Sequence, residues 1–551
     1  MSTVLFEQSA ITSGGMNVVR RFGGSSFMSL PTDTPANTPY LPLITSAGSF
    51  ERHCWSKGST TGRSSAGFGT VRVANHKTDA GVWLLDDYAH DSVDGQPFII
   101  RLGDGISLAT TPTYVTGICK QVIPGWNYLD YVLNDQISFL YDLPLQTVHY
   151  LGTNSGATGL EGLTTDIYGN PKPMLVGAVQ NISPIPVNTT ALVYQVDDGG
   201  AKLPMTLTVY SSRNVVTAGT QRTTLALLIA NTPAGSTYDW YAGPEGWYFK
   251  LGGGIVGRIT CDVSEGAAAD RTAAQCVSRL LTRRAATATG YTLPTINGIT
   301  ALDSKSTAEV GCWIANETTI GATIDPLLAG VGAYIADTRL TGLVLGRLED
   351  PAALNSAATF SDWQFLSPPA FSAPSDTGIG LRVGSTGYGN FANNAIYSSQ
   401  GTIAGLPVWR VMLDYAQNYT IMTKSDLPAD TDADIAFTID QFRTAIASDT
   451  TILASHLKAP EFDITTLLRY QSDAQAEATR QLGLRKVNRI IVSLQVESAY
   501  ARVLELGSCF TVQTNRFGWN AGRNFICLGL AETFGEYGSA SSTTIIGWGT
   551  L

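Results

Sequence analysis

The 551-residue sequence has few of the side chains from which metal and disulfide sites are built. Its seven cysteines lie far apart with no Cys-x-x-Cys pair, and no two of its five histidines are three or four residues apart. An odd number of dispersed cysteines argues against a complete disulfide framework. We therefore expect reduced thiols that pack as small hydrophobic side chains in an intracellular chain. The cysteines are Cys54, Cys119, Cys261, Cys276, Cys312, Cys509 and Cys527.

Long apolar runs and an excess of positive charge are also missing. No run of about 18 apolar residues occurs, so we expect no membrane-spanning helix. The first residues have no basic region followed by an apolar core, so we expect no signal peptide. Lys and Arg number 35 against 45 Asp and Glu, a formal net charge of −10. General attraction to phosphate therefore does not hold nucleic acid here, although a like-charged wall can line a path along which DNA slides.

What the sequence does contain is glycine and apolar residues. Hydrophobic residues make up 44% of the chain and charged residues 15%, and there are 56 glycines. This composition supports real cores and many turns, and the length suggests several domains. The sequence predicts a mainly β (α+β), multidomain chain of small β-barrel or tube-like domains with inserted helices.

Composition shifts divide the chain into five predicted parts. The proline-rich stretch at 31–42 forbids a helix, and the segment 169–266 alternates short apolar runs with Gly and Pro, as strands joined by tight loops do. The predicted parts are an extended N-terminal arm at 1–48, a β-rich tube-like domain at 49–152, a β-rich barrel domain at 153–266, an α/β domain at 267–406 and an α+β domain ending in tube-like strands at 407–551.

Apolar periodicity predicts several individual elements. One helix follows Asp270, which we expect to cap it, with Cys276 and Leu280 on its apolar face. Further helices are predicted at 318–332, at 435–446 and at 464–482, the last ending at Gly483. The clearest predicted strands are at 343–348, 489–496, 508–513, 524–530 and 542–548.

Two histidines were weighed as metal ligands. His53 stands beside Cys54, and His90 lies among four aspartates in a carboxylate-rich loop. The aspartate spacing does not match the ordered ligand positions of a calcium loop. A loop or buried residue is the favoured interpretation of His53, and a solvated acidic turn that of His90. The four aspartates are Asp86, Asp87, Asp91 and Asp94.

Motifs for catalysis are weak. No Gly-x-Ser-x-Gly elbow and no P-loop occur, and the glycines at 384–389 miss the spacing of a dinucleotide site. A carboxylate pair for glycoside hydrolysis cannot be read from sequence among so many acids. Four aromatic residues offer rings that could stack on sugars, although core packing is favoured. We predict no catalytic residue, no metal ligand and no cofactor. The aromatic residues are Trp240, Tyr241, Trp247 and Tyr248.

A set of segments in a fixed order resembles the baseplate hub, or tail-tip, proteins of long-tailed siphophages. Together the segments touch most of the chain after residue 31. They are PTDTPANTPYLP at 31–42, PKPMLVGAVQNISPIPVN at 171–188, LVYQVDD at 192–198, GPEGWYFKLGGGIVGRITCDVSEG at 243–266, DRTAAQCVSRLL at 270–281, the segment 311–334 before GLVLGRL at 342–348, VWRVMLDYAQNYTIM at 408–422, DAQAEATRQLGL at 473–484, and ELGSCFTVQTNRFGWNAGRNFICLGL at 505–530, with a terminal strand ending in Trp548-Gly549.

The resemblance implies a ring of three subunits at the tail tip of a virion, assembled in the host cytoplasm. Each subunit has two tube-like domains, so three copies present a pseudo-sixfold surface to a hexameric tail tube. The implied partners are the tail tube or distal tail protein, the tape measure protein and a central fibre or other baseplate proteins, with DNA leaving through the lumen. Some related tip proteins hold an iron–sulfur cluster on cysteines. The scattered cysteines here form no recognisable ligand set, and we predict none.

Two other functions remain open at this point. One is a receptor-binding or distal tail protein that grips a host glycan. The other is a tail-borne polysaccharide hydrolase, which needs two carboxylates or a metal in a cleft. The leading interpretation is a non-enzymatic structural hub, for which we expect residues 1–42 to lie along a neighbouring subunit and lock the ring.

Overall fold

The computed structural model describes residues 3–55, 64–154, 158–199, 203–255, 257–285, 293–340, 342–372, 407–427, 437–534 and 541–550. Within these ranges the chain is mainly β and is built from several sheets, which confirms the predicted fold class. No helix in the same ranges combines the length and apolarity needed to cross a bilayer.

The strands and helices follow one another in this order. The strands of the first half are β1 (Thr3–Ile11), β2 (Asn17–Gly23), β3 (Phe27–Met28), β4 (Pro39–Tyr40), β5 (Ile44–Ser46), β6 (Ser49–His53), β7 (Ser65–Phe68), β8 (Thr70–Ala74), β9 (Pro97–Gly103), β10 (Thr113–Pro124), β11 (Tyr128–Asn134), β12 (Met174–Ile182), β13 (Ile185–Asn188), β14 (Val193–Asp197), β15 (Met205–Ser211), β16 (Asn214–Val215), β17 (Thr217–Gln221), β18 (Thr237–Gly243), β19 (Gly246–Leu251) and β20 (Ile259–Glu265). Those of the second half are β21 (Ile296–Asn297), β22 (Gly311–Ile314), β23 (Ala333–Asp337), β24 (Leu343–Arg347), β25 (Ala358–Ser361), β26 (Ala370–Ser372), β27 (Arg410–Tyr415), β28 (Arg443–Ser448), β29 (Glu461–Thr465), β30 (Ile490–Glu497), β31 (Cys509–Gln513), β32 (Arg523–Thr533) and β33 (Ser542–Gly549). The helices are α1 (Gln136–Asp142), α2 (Leu225–Ala230), α3 (Ala273–Ala285), α4 (Ile299–Lys305), α5 (Ile320–Ala329), α6 (Thr451–Ser455), α7 (Gln471–Arg485) and α8 (Ser498–Ala501).

Seven strands form the N-terminal sheet, in the order β2–β1–β9–β10–β11–β8–β5. Its core is aromatic: the ring of Phe6 lies 5.4 Å from that of Tyr131 and 6.2 Å from that of Phe98. The prediction of an extended arm at residues 1–48 is wrong for β1 and β2, which belong to this sheet. β1 pairs with β2 on one side and β9 on the other, and Phe6 is fully buried. The reason is that Val4 and Phe6 contribute to a core that the strand cannot leave without exposing them.

Two five-stranded sheets pack on each other in the middle of the chain, in the orders β16–β15–β20–β12–β22 and β13–β14–β19–β18–β17. Trp247 and Phe249 of β19 lie in the core between the sheets, with Val209 and Val263. The chain makes a tight corner after β19. A Cβ on Gly252 would stand 2.0 Å from the Ala234 carbonyl oxygen, so no larger residue fits this corner.

Helices α3, α5 and α7 share one large core with the three-stranded sheets β21–β24–β23 and β28–β27–β29. The apolar face predicted for α3 is buried, including Cys276 and Leu280. Its cap differs from the prediction. Thr272 Oγ1 accepts the Gln275 N–H at 3.3 Å, while Asp270 accepts the Ala267 N–H one turn earlier, at 2.9 Å.

Two predicted helices near the C-terminus are wrong in whole or in part. Residues 443–448 form β28, which pairs antiparallel with β27, so the helix predicted at 435–446 does not cover them; residues 435–436 lie outside the described residues. Residues 461–465 form β29, parallel to β27. The second helix, α7, therefore begins at Gln471 and runs through Gly483 to Arg485. Alternating burial along β28, with Ala445 and Ala447 inward, is the period of a strand and not of a helix.

The C-terminal sheet has eight strands, β25–β31–β32–β33–β30–β26, with β6 paired to β32 and β7 paired to β6. The strands predicted at 489–496, 508–513, 524–530 and 542–548 all occur in it. β6 pairs with β32, and the chain then continues through β7 into β8 of the N-terminal sheet. The two large sheets are therefore joined by one continuous stretch of chain near residue 50.

The position of β1 leads to a stability prediction. Because Phe6 lies in the aromatic core, Phe6→Ala should cost about 3–5 kcal/mol of unfolding free energy, the usual cost of emptying a large aromatic site. Met16→Ala, at a residue 66% exposed in the turn between β1 and β2, is the control and should change stability by less than about 0.5 kcal/mol. Chemical denaturation measures both variants. Equal effects would mean that this segment is a detached arm.

Candidate functional site

A cluster of buried charges lies where the two large sheets meet. Glu532 on β32 is almost completely buried, and its Oε1 accepts hydrogen bonds from Arg339 Nε at 3.1 Å and from the Tyr114 hydroxyl at 3.2 Å. Arg52 on β6 donates to Glu505 at 3.1 Å and has a second nitrogen 4.0 Å from Glu532. We call these residues the ionic junction. Charges this deeply buried need partners, and here each guanidinium faces a carboxylate from another segment.

The neighbouring carboxylates favour the charged form of Arg52 in the junction. Burial disfavours the charge on Arg52, but the carboxylates of Glu505 and Glu532 more than offset that cost and raise its pKa above the usual value. Burial, followed by the Glu532 carboxylate, also raises the pKa of Tyr114, which therefore stays a hydrogen-bond donor. Arg52 therefore keeps its charge inside the junction, beside the neutral hydroxyl of Tyr114.

The loop after β23 fills the space between the sheets. Arg339 Nη1 donates to the Arg502 carbonyl at 2.9 Å, on the C-terminal side. On the other side, the Thr116 N–H donates to the Arg339 carbonyl at 3.1 Å, and the Thr116 hydroxyl donates to the Leu340 carbonyl at 3.0 Å. The loop therefore ties β10 of the N-terminal sheet to the segment before β31.

A pair of buried carboxyl groups stands beside the junction. Asp337, at the end of β23, accepts the Gln136 N–H at 2.6 Å at the start of α1. Asp135 caps the same helix by accepting from the Ser138 N–H and, at 2.8 Å, from the Ser138 hydroxyl. Burial and then the neighbouring Asp135 raise the pKa of Asp337 well above its ordinary value, although Arg52 acts in the opposite direction. Asp337 is therefore the group that holds a proton here.

The histidine and cysteine weighed as metal ligands do not converge. His53 Nε2 lies 2.6 Å from Glu51 Oε1, whereas the Cys54 thiol donates to the Cys527 carbonyl at 3.6 Å. Successive residues at the end of a strand point to opposite faces, which separates the two. Across the described ranges, no group of three or more His, Cys, Asp or Glu side chains is placed to hold a metal ion.

The acidic loop around His90 is a short 3₁₀ helix, Asp86–His90. Asp91 is held by two hydrogen bonds from Arg20, at 2.7 and 3.0 Å, and Asp86 accepts from the Asn75 amide at 3.0 Å. Arg20 lies on β2 and Asn75 follows β8, so the two carboxylates have separate protein partners. Asp86 and Asp87 are exposed whereas Asp91 is buried, so the acidic turn is solvated only in part.

The aromatic residues weighed as sugar platforms pack inside the middle sheets. Trp247 and Tyr248 lie on β19 and are buried, as is Tyr241 on β18, whose hydroxyl donates to Glu245. Trp240 is half-buried and contacts Tyr238, with ring centres 5.8 Å apart. The three buried rings therefore have no exposed face on which a sugar could stack. The glycine motif at 384–389 lies outside the described residues.

All seven cysteines are buried thiols spread over separate cores. Burial raises the pKa of Cys119 and of Cys527 to about 12, so both stay protonated. Cys509 and Cys527 belong to the core of the C-terminal sheet, while Cys276 and Cys312 belong to the helical core. Each acts as a small hydrophobic side chain in its own core.

Two hairpin tips present exposed aromatic side chains that the sequence analysis did not single out, although residues 516–522 were predicted to be a loop between two strands. The turn between β10 and β11, closed by a 2.8 Å bond from the Gly125 N–H to the Tyr128 carbonyl, presents Trp126, which is 88% exposed. The turn between β31 and β32 presents Phe517, which is 50% exposed and has a φ of 57°. An aromatic residue beside glycine between two strands was the available signal. We call these the Trp126 tip and the Phe517 tip.

Comparison with known proteins gives structural matches only. No family model matches the chain, and no curated protein matches it in sequence. It is similar to the tail protein from Neisseria meningitidis MC58 (9% identity, TM-score 0.39, covering 98% of this chain and 96% of that one). It is also similar to a prophage MuSo2 tail protein from Shewanella oneidensis (7% identity, TM-score 0.38, covering 99% of this chain and 98% of that one). A third similar structure is the prophage tail protein gp18 from Listeria monocytogenes (7% identity, TM-score 0.35, covering 98% of this chain and 94% of that one).

The matched structures are tail proteins, the class that the sequence segments resemble. Each TM-score is below 0.5 and each identity below 10%, so the matches carry no argument about what this chain does. The function is therefore argued from the chain's own sequence and geometry.

The junction predicts a large effect of removing one charge. Glu532→Gln leaves Arg52 and Arg339 short of a carboxylate in a buried place, and should cost about 3–5 kcal/mol of unfolding free energy. Glu497→Gln, on the exposed end of β30, is the matched control and should be near neutral. Chemical denaturation compares the two. A loss no larger than the control's would show that the junction does not hold the sheets together.

The carboxyl pair predicts a pH dependence of stability. Because the folded pKa of Asp337 is raised, its contribution is fully present below the ordinary aspartate value, about 4, and is lost as pH rises through the folded pKa. Asp337→Asn keeps an acceptor for the Gln136 N–H but cannot ionise. The difference in melting temperature between wild type and variant should therefore move in the variant's favour as pH rises from 5 to 8. A constant difference would contradict the assignment.

Proposed function

We propose that this chain is a structural part of a phage tail, the baseplate hub that closes the distal end of the tail tube. In this role it connects the tube to a central fibre or to receptor-binding parts, and its ring forms part of the channel through which DNA is ejected. The partners are two further copies of the chain, the tail tube or distal tail protein and the tape measure protein. It acts without catalysis, at the tail tip of the virion.

The observation that carries the proposal is that one chain holds two large, mainly antiparallel sheets locked into one unit. β6 pairs into the C-terminal sheet while the strand that follows β7 belongs to the N-terminal sheet, and Glu532 binds groups from both sides. A subunit with two large sheets, present three times, would bring six sheets to a ring. That number suits a hexameric tube, which is the plan that the sequence resemblance implies.

The charge of the chain agrees with a passage for DNA. A net charge of −10 gives the surface no general affinity for phosphate, so a duplex can pass along it without being held. The proposal assigns the lumen no specific DNA contact.

The two alternatives have less support from particular residues. Glycan binding through the aromatic group of the middle sheets is opposed by the burial of Trp247 and Tyr248. Hydrolysis needs carboxylates that a polymer can reach. The closest carboxyl pair described above, Asp135 and Asp337, is buried beneath the junction.

Immunogold labelling tests the proposal. An epitope tag joined to the last residue of the chain in phage particles should place gold at the distal end of the tail. Label on the capsid, or intact tails that lack the chain, would contradict the role. The same particles with the tag on a capsid protein are the control for antibody access.

A further inference from the structure

We propose that the Trp126 tip of one copy docks on the Phe517 tip of a second copy, in a head-to-tail contact that joins the N-terminal sheet of one to the C-terminal sheet of the next. This inference rests on the proposed function, because it assigns residues to the contact that a ring of this chain requires. It names two surfaces that differ in position and charge, as a closing ring contact must.

The Trp126 tip is an apolar surface with little to cover it. Trp126 contacts Trp83 edge to face, with ring centres 6.4 Å apart. Val82 and Ile123, on either side, are exposed as well. A nearly bare tryptophan beside other exposed apolar groups is typical of a residue that is buried on association.

The loop beneath the Trp126 tip is acidic. Three exposed carboxylates, Asp79, Asp86 and Asp87, outnumber the single Lys77, whose ammonium lies 5.5 Å from the Trp83 ring centre. The loop is fixed to the tip through Asn75, which donates its side-chain amide to Asp86 at 3.0 Å and its backbone N–H to the Asn127 carbonyl at 2.8 Å. The negative charge therefore stays beside Trp126.

The Phe517 tip is aromatic and basic. Phe517 lies 5.3 Å from the ring of Phe371 on β26 and 5.6 Å from that of the buried Trp519. The Arg516 guanidinium is 5.0 Å from the Phe517 ring centre. The segment 514–523 also contains Arg523 and has no carboxylate. The surface thus carries the opposite charge to the loop beside Trp126.

The backbone of Phe517 gives a second, independent reason to assign a role to this tip. Its φ of 57° is in the left-handed region, which costs a bulky residue about 1 kcal/mol or more. Glycine would adopt the same turn without that cost. Packing on Phe371 and Trp519 offsets part of that cost, and the exposed half of the Phe517 ring is left for a contact with another molecule.

The second copy is the occupant that the charges favour. Pairing a tip with its own equivalent would bring like charges together, whereas pairing the two different tips brings acidic against basic and aromatic against aromatic. Both tips belong to every chain, so each copy can give one and receive one. Repetition of that contact produces a ring if the rotation closes.

A charge exchange tests the pairing. Asp79→Lys alone and Arg516→Glu alone should each weaken self-association by about tenfold or more, a change of about 1.4 kcal/mol. The chain with both changes should recover most of the loss, because the opposite charges face each other again. Sedimentation equilibrium over a concentration series measures the association. Failure of the double variant to recover would overturn the pairing.

A mixing experiment tests the direction of the contact. Trp126→Ser and Phe517→Gly each remove one tip, and the relief of backbone strain by the glycine offsets part of the packing lost on Phe371 and Trp519. Chemical denaturation confirms that both variants are folded before they are mixed. Each variant alone should be monomeric. An equimolar mixture should form dimers and nothing larger, since one intact tip of each kind remains. Leu457→Ser, at a residue 89% exposed outside both tips, is the control and should associate as wild type does.

The outcomes separate this inference from the proposed function. A wild-type chain that stays monomeric up to the highest concentration, or variants that associate as well as wild type, would overturn the tip contact. Gold at the tail tip in the same phage would leave the hub role standing. Gold elsewhere, with the contact intact, would overturn the hub role and leave the self-association standing.

Discussion

The charge of Glu532 is the constraint on which the rest of the structure depends. A carboxylate this deeply buried is costly unless cations surround it. Arg339 and Arg52 can reach it only when the loop after β23 and strand β6 are in place. The Tyr114 hydroxyl adds a donor from the N-terminal sheet. One buried charge therefore specifies how three distant segments meet, and apolar packing alone would allow them more freedom to slide.

The same principle distinguishes the interior of the protein from its tips. Inside, unlike charges are brought together within one chain, where Glu532 Oε1 accepts hydrogen bonds from Arg339 and Tyr114. At the Trp126 and Phe517 tips, unlike charges lie on two surfaces of the same chain, each beside exposed aromatic rings. The ionic junction therefore holds the two large sheets of one subunit together. The tips carry exposed rings and charges that are available to a second molecule.

Local patterns predicted the elements that local patterns control. Four strands of the C-terminal sheet were predicted from alternating apolar and polar residues between clear turns, and all four of these strands occur. The helix predicted at 435–446 was wrong over residues 443–446, because Ile439, Phe442 and Ile446 are spaced as on one face of a helix. Pairing with β27 makes this segment a strand, in which Ile446 is exposed and Ala445 is buried. A partner strand some thirty residues away is not visible in a local window.

The candidate site was harder to predict for a related reason. Glu532 lies in an ordinary strand sequence, and no local pattern predicts its contacts with Arg52 and Arg339, which are far away in the chain. Trp126 and Phe517 each stand beside glycine between strands, so a turn could be expected at both places. Their exposure depends on how the loops around them fold. The aromatic group in the middle sheets attracted attention because it is dense in sequence, and density proved to be a sign of core packing.

The pairing of β6 with β32 has a consequence for how the protein is made. Cys54, just after β6, reaches the carbonyl of Cys527, which is 473 residues further along the chain. During synthesis the first of these segments leaves the ribosome long before the second exists, and contacts this far apart form slowly. A nascent or prematurely terminated chain keeps Arg52 without Glu532 and leaves the edge of β6 open. Completion of translation is therefore a checkpoint for the final fold, and only full-length subunits present both large sheets in their finished form.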